Sequence, residues 1–240
     1  MVKRDTASRT RHALVFAFTA FLTKLVSEFI HEVIGHGSFV LLFGGLVTEV
    51  KISLLWPYQL SHIEWAIPPL LDWQMAWIYA GGILATTLTF ILVQVLLLPA
   101  NPRWEVAVTL NWLSFWCLMN AGGYLVVGAV YPFGDIAELV SLNALSSQQS
   151  LILGIVLIFV GFFLISRSLT VAVRLLLGIW APLAPVIMWS VLPLVVWLAM
   201  AGLGVLSHVV IVAGFIPLVT AIAIGVVLIR RNSNSSPVTI

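Results

Sequence analysis

Charge is the scarcest property of this sequence. Its 240 residues include 11 Lys and Arg and 9 Asp and Glu, so charged side chains make up 8% of the chain, against about 25% in an ordinary soluble domain. So few charges cannot coat a water-facing globule, which excludes a soluble domain and makes lipid the solvent for most of the surface. Cysteine is nearly missing too. The single residue, Cys117, lies inside an apolar run; this excludes a disulfide framework and a cysteine-based metal site and leaves a small buried apolar residue. A basic surplus is also lacking: the formal net charge is +2, and no basic patch stands clear of the apolar segments. Nucleic acid is therefore not an expected partner.

In place of charge the chain carries 61% hydrophobic residues and a mean hydropathy of +1.13. A bilayer helix needs about 20 largely apolar residues. Six stretches qualify, roughly 13–40, 74–98, 106–130, 150–168, 176–200 and 204–229. Arg167 and Arg174 mark the break between the fourth and fifth, and Ala201-Gly202 the next one. Pro182, Pro185 and Pro193 are expected to kink the fifth span. The basic start MVKRDTASRTRH precedes an apolar run with no small-residue cleavage site, and so reads as an uncleaved cytoplasmic tail. Basic residues near span ends favour the cytoplasm. With both termini inside, Lys3, Arg4, Arg9, Arg11, Arg103, Arg167, Arg174, Arg230 and Arg231 all fall there. Glu49, Glu64, Asp72, Asp135 and Glu138 are left outside, with Lys51 the exception.

The segment 47–73 is not a span. "VTEVKISL" is rich in β-branched residues and predicts a short strand. Trp56, Pro57, Trp65, Pro68-Pro69 and Trp73 then predict an interfacial loop, since tryptophan prefers the headgroup level. The expected fold is an all-α polytopic membrane protein of about six transmembrane helices, with a short interfacial strand and loop segment after the first. It divides into a basic tail (1–12), a core of three spans and the loop (13–138), a C-terminal three-span bundle (139–229) and a disordered polar tail (230–240). Its setting is the cell membrane, in contact with lipid.

Ionisable groups inside a span are costly and mark function by default. The first span holds Lys24, Glu28, His31, Glu32 and His36, within "FIHEVIGHGS" and the turns before it. In His-Glu-x-x-His the two histidines share one helical face and bind zinc, with the glutamate as general base. Here they are five apart. On an α-helix that is about 140° beyond a full rotation; a π-bulge would reduce it to roughly 50°, and Gly35 would ease the distortion. A second reading needs no bulge. Glu28, Glu32 and His36 lie at i, i+4 and i+8 on a straight helix, which makes Glu32 a ligand rather than a base. A third reading is a salt-bridged stripe that binds a neighbouring helix. A catalytic zinc usually takes three protein ligands and a water. Asp135 in "YPFGDIAEL" is the candidate third ligand, with Glu138 as the alternative, because the first and third spans end on the same side.

In order along the chain, "HEVIGHGSFVLLFGGLVTEVKISL", "YAGGILATT" and "PFGD" resemble the site-2 protease family of intramembrane zinc metalloproteases. The resemblance covers roughly 25–138. It departs in the histidine spacing, which is that of the "HELLGH" type of motif in dipeptidyl peptidase III, and in Ile136 where the family has glycine. It implies an intramembrane peptidase acting on a membrane-protein or peptide substrate, with Zn2+ on His31, His36 and Asp135 and with Glu32 as general base. Rival readings are a non-catalytic binding or scaffold protein with a degenerate metal site, a proton- or cation-coupled transporter using Glu28 and Glu32, and a hydrolase of lipid amides. His208 is a candidate substrate contact or a helix–helix hydrogen bonder, and His62 a surface residue. Gly81-Gly82 and Gly122-Gly123 are expected to allow close helix packing, and Asn111 and Asn120 to bond between helices.

Overall fold

Six helices long and apolar enough to cross a bilayer organise the computed structural model, which describes residues 6–54, 61–97, 102–202, 204 and 207–234. The protein is an all-α integral membrane protein with one small sheet. The first span begins as α1 (Thr6–Phe29), passes through a π-helical segment (Ile30–Gly37) and ends as α2 (Ser38–Leu42). The 33 residues from Thr10 to Leu42 run to about 50 Å at 1.5 Å each, well beyond a hydrocarbon core of about 30 Å.

The chain then reverses at Gly44, whose φ of +79° suits glycine. Strands β1 (Leu46–Lys51) and β2 (His62–Ala66) pair antiparallel, with Leu46 opposite Ala66, Lys51 opposite His62 and an irregularity between Val47 and Glu49. The hairpin folds back along the first span. The Lys24 ammonium donates to the Ser53 carbonyl at 2.7 Å, a contact about 27 Å down the helix from Leu42. The strand expected at "VTEVKISL" is therefore present. The loop expected after it is in part strand β2, because β-branched and aromatic residues in His62–Ala66 satisfy their backbone groups against β1. Trp56 and Pro57 lie outside the described residues.

Helix α3 (Asp72–Leu97) runs antiparallel to the first span. Phe39 stacks on Trp77 at 5.6 Å, and His36 meets Ile78. The third span joins α4 (Trp104–Leu118), a second π segment (Met119–Gly123) and α5 (Tyr124–Val130). It runs parallel to the first span: Trp116 Nε1 donates to Ala20 O at 2.7 Å and Asn120 Nδ2 to Ser27 Oγ at 3.0 Å. The short α6 (Gly134–Ser141) follows, then α7 (Ser147–Leu177), α8 (Leu183–Gly202) and α9 (His208–Asn234). Trp112, Phe115, Ile165, Leu169, Met188 and Trp189 are fully buried where α4, α7 and α8 meet. Asn111 bonds to Ser168 on α7, as expected of an interhelical contact.

Three expectations about the C-terminal half change. The fourth span does not break at Arg167 and Arg174 but continues to Leu177, because arginine is a good helix former and the terminator is Gly178 at φ +58°. Pro182 precedes α8 and Pro185 sits in its first turn, where proline is tolerated, so only Pro193 is interior. Helix α9 runs through Arg230 and Arg231 to Asn234, and 235–240 lie outside the described residues. At the other end α1 already begins at Thr6, so much of the expected basic tail is helical, with Lys3 and Arg4 outside the description.

Candidate metal centre

The five-residue histidine spacing meets a helix with a wider turn. The first span is π-helical from Ile30 to Gly37, which brings His31 and His36 onto one side with ring centroids 5.0 Å apart and planes at 76°. The straight-helix alternative, with Glu28, Glu32 and His36 on one face, fails for the same reason. Ile34, the residue between the two turns, is 50% exposed and faces outward. Both histidines and Glu32 are buried.

Asp135, in the first turn of α6, closes the group. Its Oδ2 lies 3.3 Å from His31 Nε2 and 3.3 Å from His36 Nε2. All three donor atoms fall within 4.8 Å of one another. A charge-assisted N–H···O contact is about 2.7–2.9 Å. Two ligands of a tetrahedral zinc with bonds near 2.05 Å stand roughly 3.3 Å apart. The two separations from Asp135 match the second figure, so this His2Asp group could hold a metal ion. Burial alone raises the Asp135 carboxyl, but the His36 and His31 imidazoles outweigh it and hold the group well below the usual carboxylate range. Its side chain keeps 15% exposure, so the centre reaches the surface there.

The two imidazoles are oriented differently. His36 Nδ1 donates to the Ile78 carbonyl at 2.7 Å, which puts the proton on Nδ1 and leaves the Nε2 lone pair for a ligand role. His31 Nδ1 is buried without a hydrogen-bond partner among the described residues. Packing orients this ring instead. It lies on Gly82, where an added Cβ would come within 2.6 Å of His31 Cε1, and against the edge of Tyr124 at 5.8 Å. Gly35 has a related requirement: a Cβ there would meet the Gly82 Cα at 2.5 Å and the Gly82 N at 2.7 Å. The glycines thus let two backbones touch, as expected of Gly81-Gly82, and bring α3 under the histidines.

The other candidates stay apart from this group. Glu138 is exposed one turn beyond Asp135. His208 is exposed at the start of α9, and His62 is half-buried in β2. Glu28 pairs with Lys24 at 3.8 Å, both buried. A groove of about 600 Å3 bounded by Trp73, Ala80, Leu139 and Leu153 is apolar and excludes all three ligand candidates. Sequence reasoning missed the seat at Gly82, the Ile78 carbonyl and Tyr124. A backbone acceptor leaves no mark in a sequence; Tyr124, next to Gly122-Gly123 on a span ending at "PFGD", left a weak one. Comparison with family models, with curated proteins and with solved structures finds no match to this chain, so its functional reading rests on this geometry.

Proposed function

We propose that this integral membrane protein is a zinc metallohydrolase, an intramembrane peptidase whose ion is held by His31, His36 and Asp135. The observation that carries the reading is the convergence of two imidazoles, five apart on a π segment, with a carboxylate 104 residues away from His31. Zinc bound there supplies a Lewis acid that polarises the scissile carbonyl and lowers the pKa of water toward neutrality. The chain's own groups do the rest. Glu32, adjacent to His31 and buried in the same segment, takes a proton from the attacking water on its carboxylate and returns it to the leaving amine. His36 keeps its Nδ1 proton on Ile78 throughout, so its ring cannot turn away. Burial of both imidazoles excludes bulk water from all but the Asp135 side.

The substrate class is a membrane-protein segment or peptide. Basic residues at span ends support termini on the cytoplasmic side, with the centre in the outer half of the bilayer. The test is turnover of quenched-fluorescent transmembrane peptides by the purified full chain. Glu32→Gln is expected to keep its metal and lose at least about a hundredfold in rate, the usual share of a general base. Metal binding with no turnover by the unsubstituted chain would instead assign it to the non-catalytic binding class, and an unchanged rate in Glu32→Gln would remove Glu32 from the role of base.

A further inference from the structure

We propose that Tyr124 is the positioning residue of the centre, holding Asp135 by its hydroxyl and His31 by its ring. This rests on the metal reading above and extends it to a side chain that binds no ion. Tyr124 begins α5 directly after the second π segment. Its Oη accepts the backbone N–H of Asp135 at 3.0 Å. That amide is one of the first-turn donors of α6, which the helix itself leaves unpaired. No side chain caps α6 from its own N-cap residue, Phe133, so the hydroxyl from a different helix does so.

The approach to this contact is built for it. Gly134 has φ +51°, and a Cβ there would run into Tyr124 Oη. The glycine of "PFGD" therefore lets the chain pass over the hydroxyl just before the carboxylate. Phe133 packs against the Tyr124 ring at 5.0 Å and 59°. The other face of the problem is His31. Its Nδ1 has no hydrogen-bond partner among the described residues, so ring contacts decide where Nε2 points. Tyr124 supplies one such contact at 5.8 Å and 62°. Two ligands from distant parts of the chain thus share one support, whereas His36 has its own in Ile78.

Two variants separate the hydroxyl from the ring. Tyr124→Phe keeps the packing and removes the acceptor; Tyr124→Leu removes both. The full chain in detergent is titrated with Co2+ against a competing chelator, with the visible band recorded. Groups behind metal ligands typically contribute 10–100-fold in affinity. Tyr124→Phe is expected to weaken Co2+ binding about tenfold and Tyr124→Leu up to about a hundredfold, each with an altered band. Faster amide exchange at Asp135 is expected of Tyr124→Phe, with no more than the small drop in ion-free melting temperature that loss of one helix cap brings. Unsubstituted affinity and superposable bands in both variants would overturn the proposal, and so would an affinity loss matched by a larger drop in ion-free melting temperature. An unsubstituted chain that takes no Co2+ would overturn the metal reading itself, a result read without any variant.

Discussion

At the scale of single residues, the centre depends on two kinds of orientation, one by hydrogen bond and one by contact. His36 is tied to a backbone carbonyl that no substitution removes. His31 is held by the surfaces around it, and the floor is Gly82. Gly82→Ala should therefore displace His31 alone. A fall of at least tenfold in zinc affinity is expected by chelator competition, within the range for disturbed outer-shell groups. Unaltered affinity would show that the ring has room the structure does not indicate. Lys24 and Glu28 form the other consequential pair. Each side chain is about one-tenth exposed, at 10% and 11%, and Lys24 also holds the hairpin at Ser53. Breaking a buried pair by removing one partner costs about 3–5 kcal/mol, whereas removing both can be nearly neutral. Glu28→Gln should lower the melting temperature, and Lys24→Met/Glu28→Gln should recover part of the loss. A double variant less stable than the single would point to Lys24 acting mainly through Ser53.

At the scale of elements, the π segment is what brings the two histidines of "HEVIGH" to one side. Ile34 faces outward within it, so deleting Ile34 removes little packing and leaves His-Glu-x-x-His. On an α-helix that four-residue spacing gives an offset of about 40°, close to the roughly 50° of the π turn. The deletion variant is expected to bind zinc within about tenfold of the full chain. Loss beyond a hundredfold, by the same competition measurement, would mean that the π segment sets more than the histidine angle. Gly35→Ala acts at the same crossing. Its Cβ would meet backbone atoms of Gly81 and Gly82, which cannot swing aside, and overpacking of this kind costs about 1–3 kcal/mol. The bulge was legible only as one of two alternatives: it is needed if both histidines share a face, whereas Glu28, Glu32 and His36 offered a straight-helix reading that the π segment rules out. Strand β2 was not legible, because Trp65 and its neighbours carry the interfacial signal as strongly as the strand one. Arg167 and Arg174 misled for a related reason. Charge marks where a helix meets polar surroundings, not where its hydrogen bonding ends, and the stop belongs to Gly178.

At the scale of the whole molecule, the site follows from connectivity. The first and third spans run parallel, from Ala20 with Trp116 to Ser27 with Asn120, and α6, which folds back after the third span, returns Asp135 to Tyr124 and to His31, 104 residues away. Span counting and the basic residues already implied that parallel course. The proposed outer orientation of the centre rests on those basic residues alone. Reporters fused to the two termini should both read as cytoplasmic, and a split result would require an odd number of crossings. The last three spans follow the expected order, but nothing in their sequence announced how Trp189 packs against Phe115 and Phe162. Packing partners depend on three-dimensional neighbours that periodicity does not name. The most direct test of the central claim is elemental analysis of the purified full chain beside a His31→Ala/His36→Ala variant that folds and melts normally. About one zinc per chain is expected in the first and none above background in the second. Full occupancy of the double variant, or none in the unsubstituted chain, would contradict it.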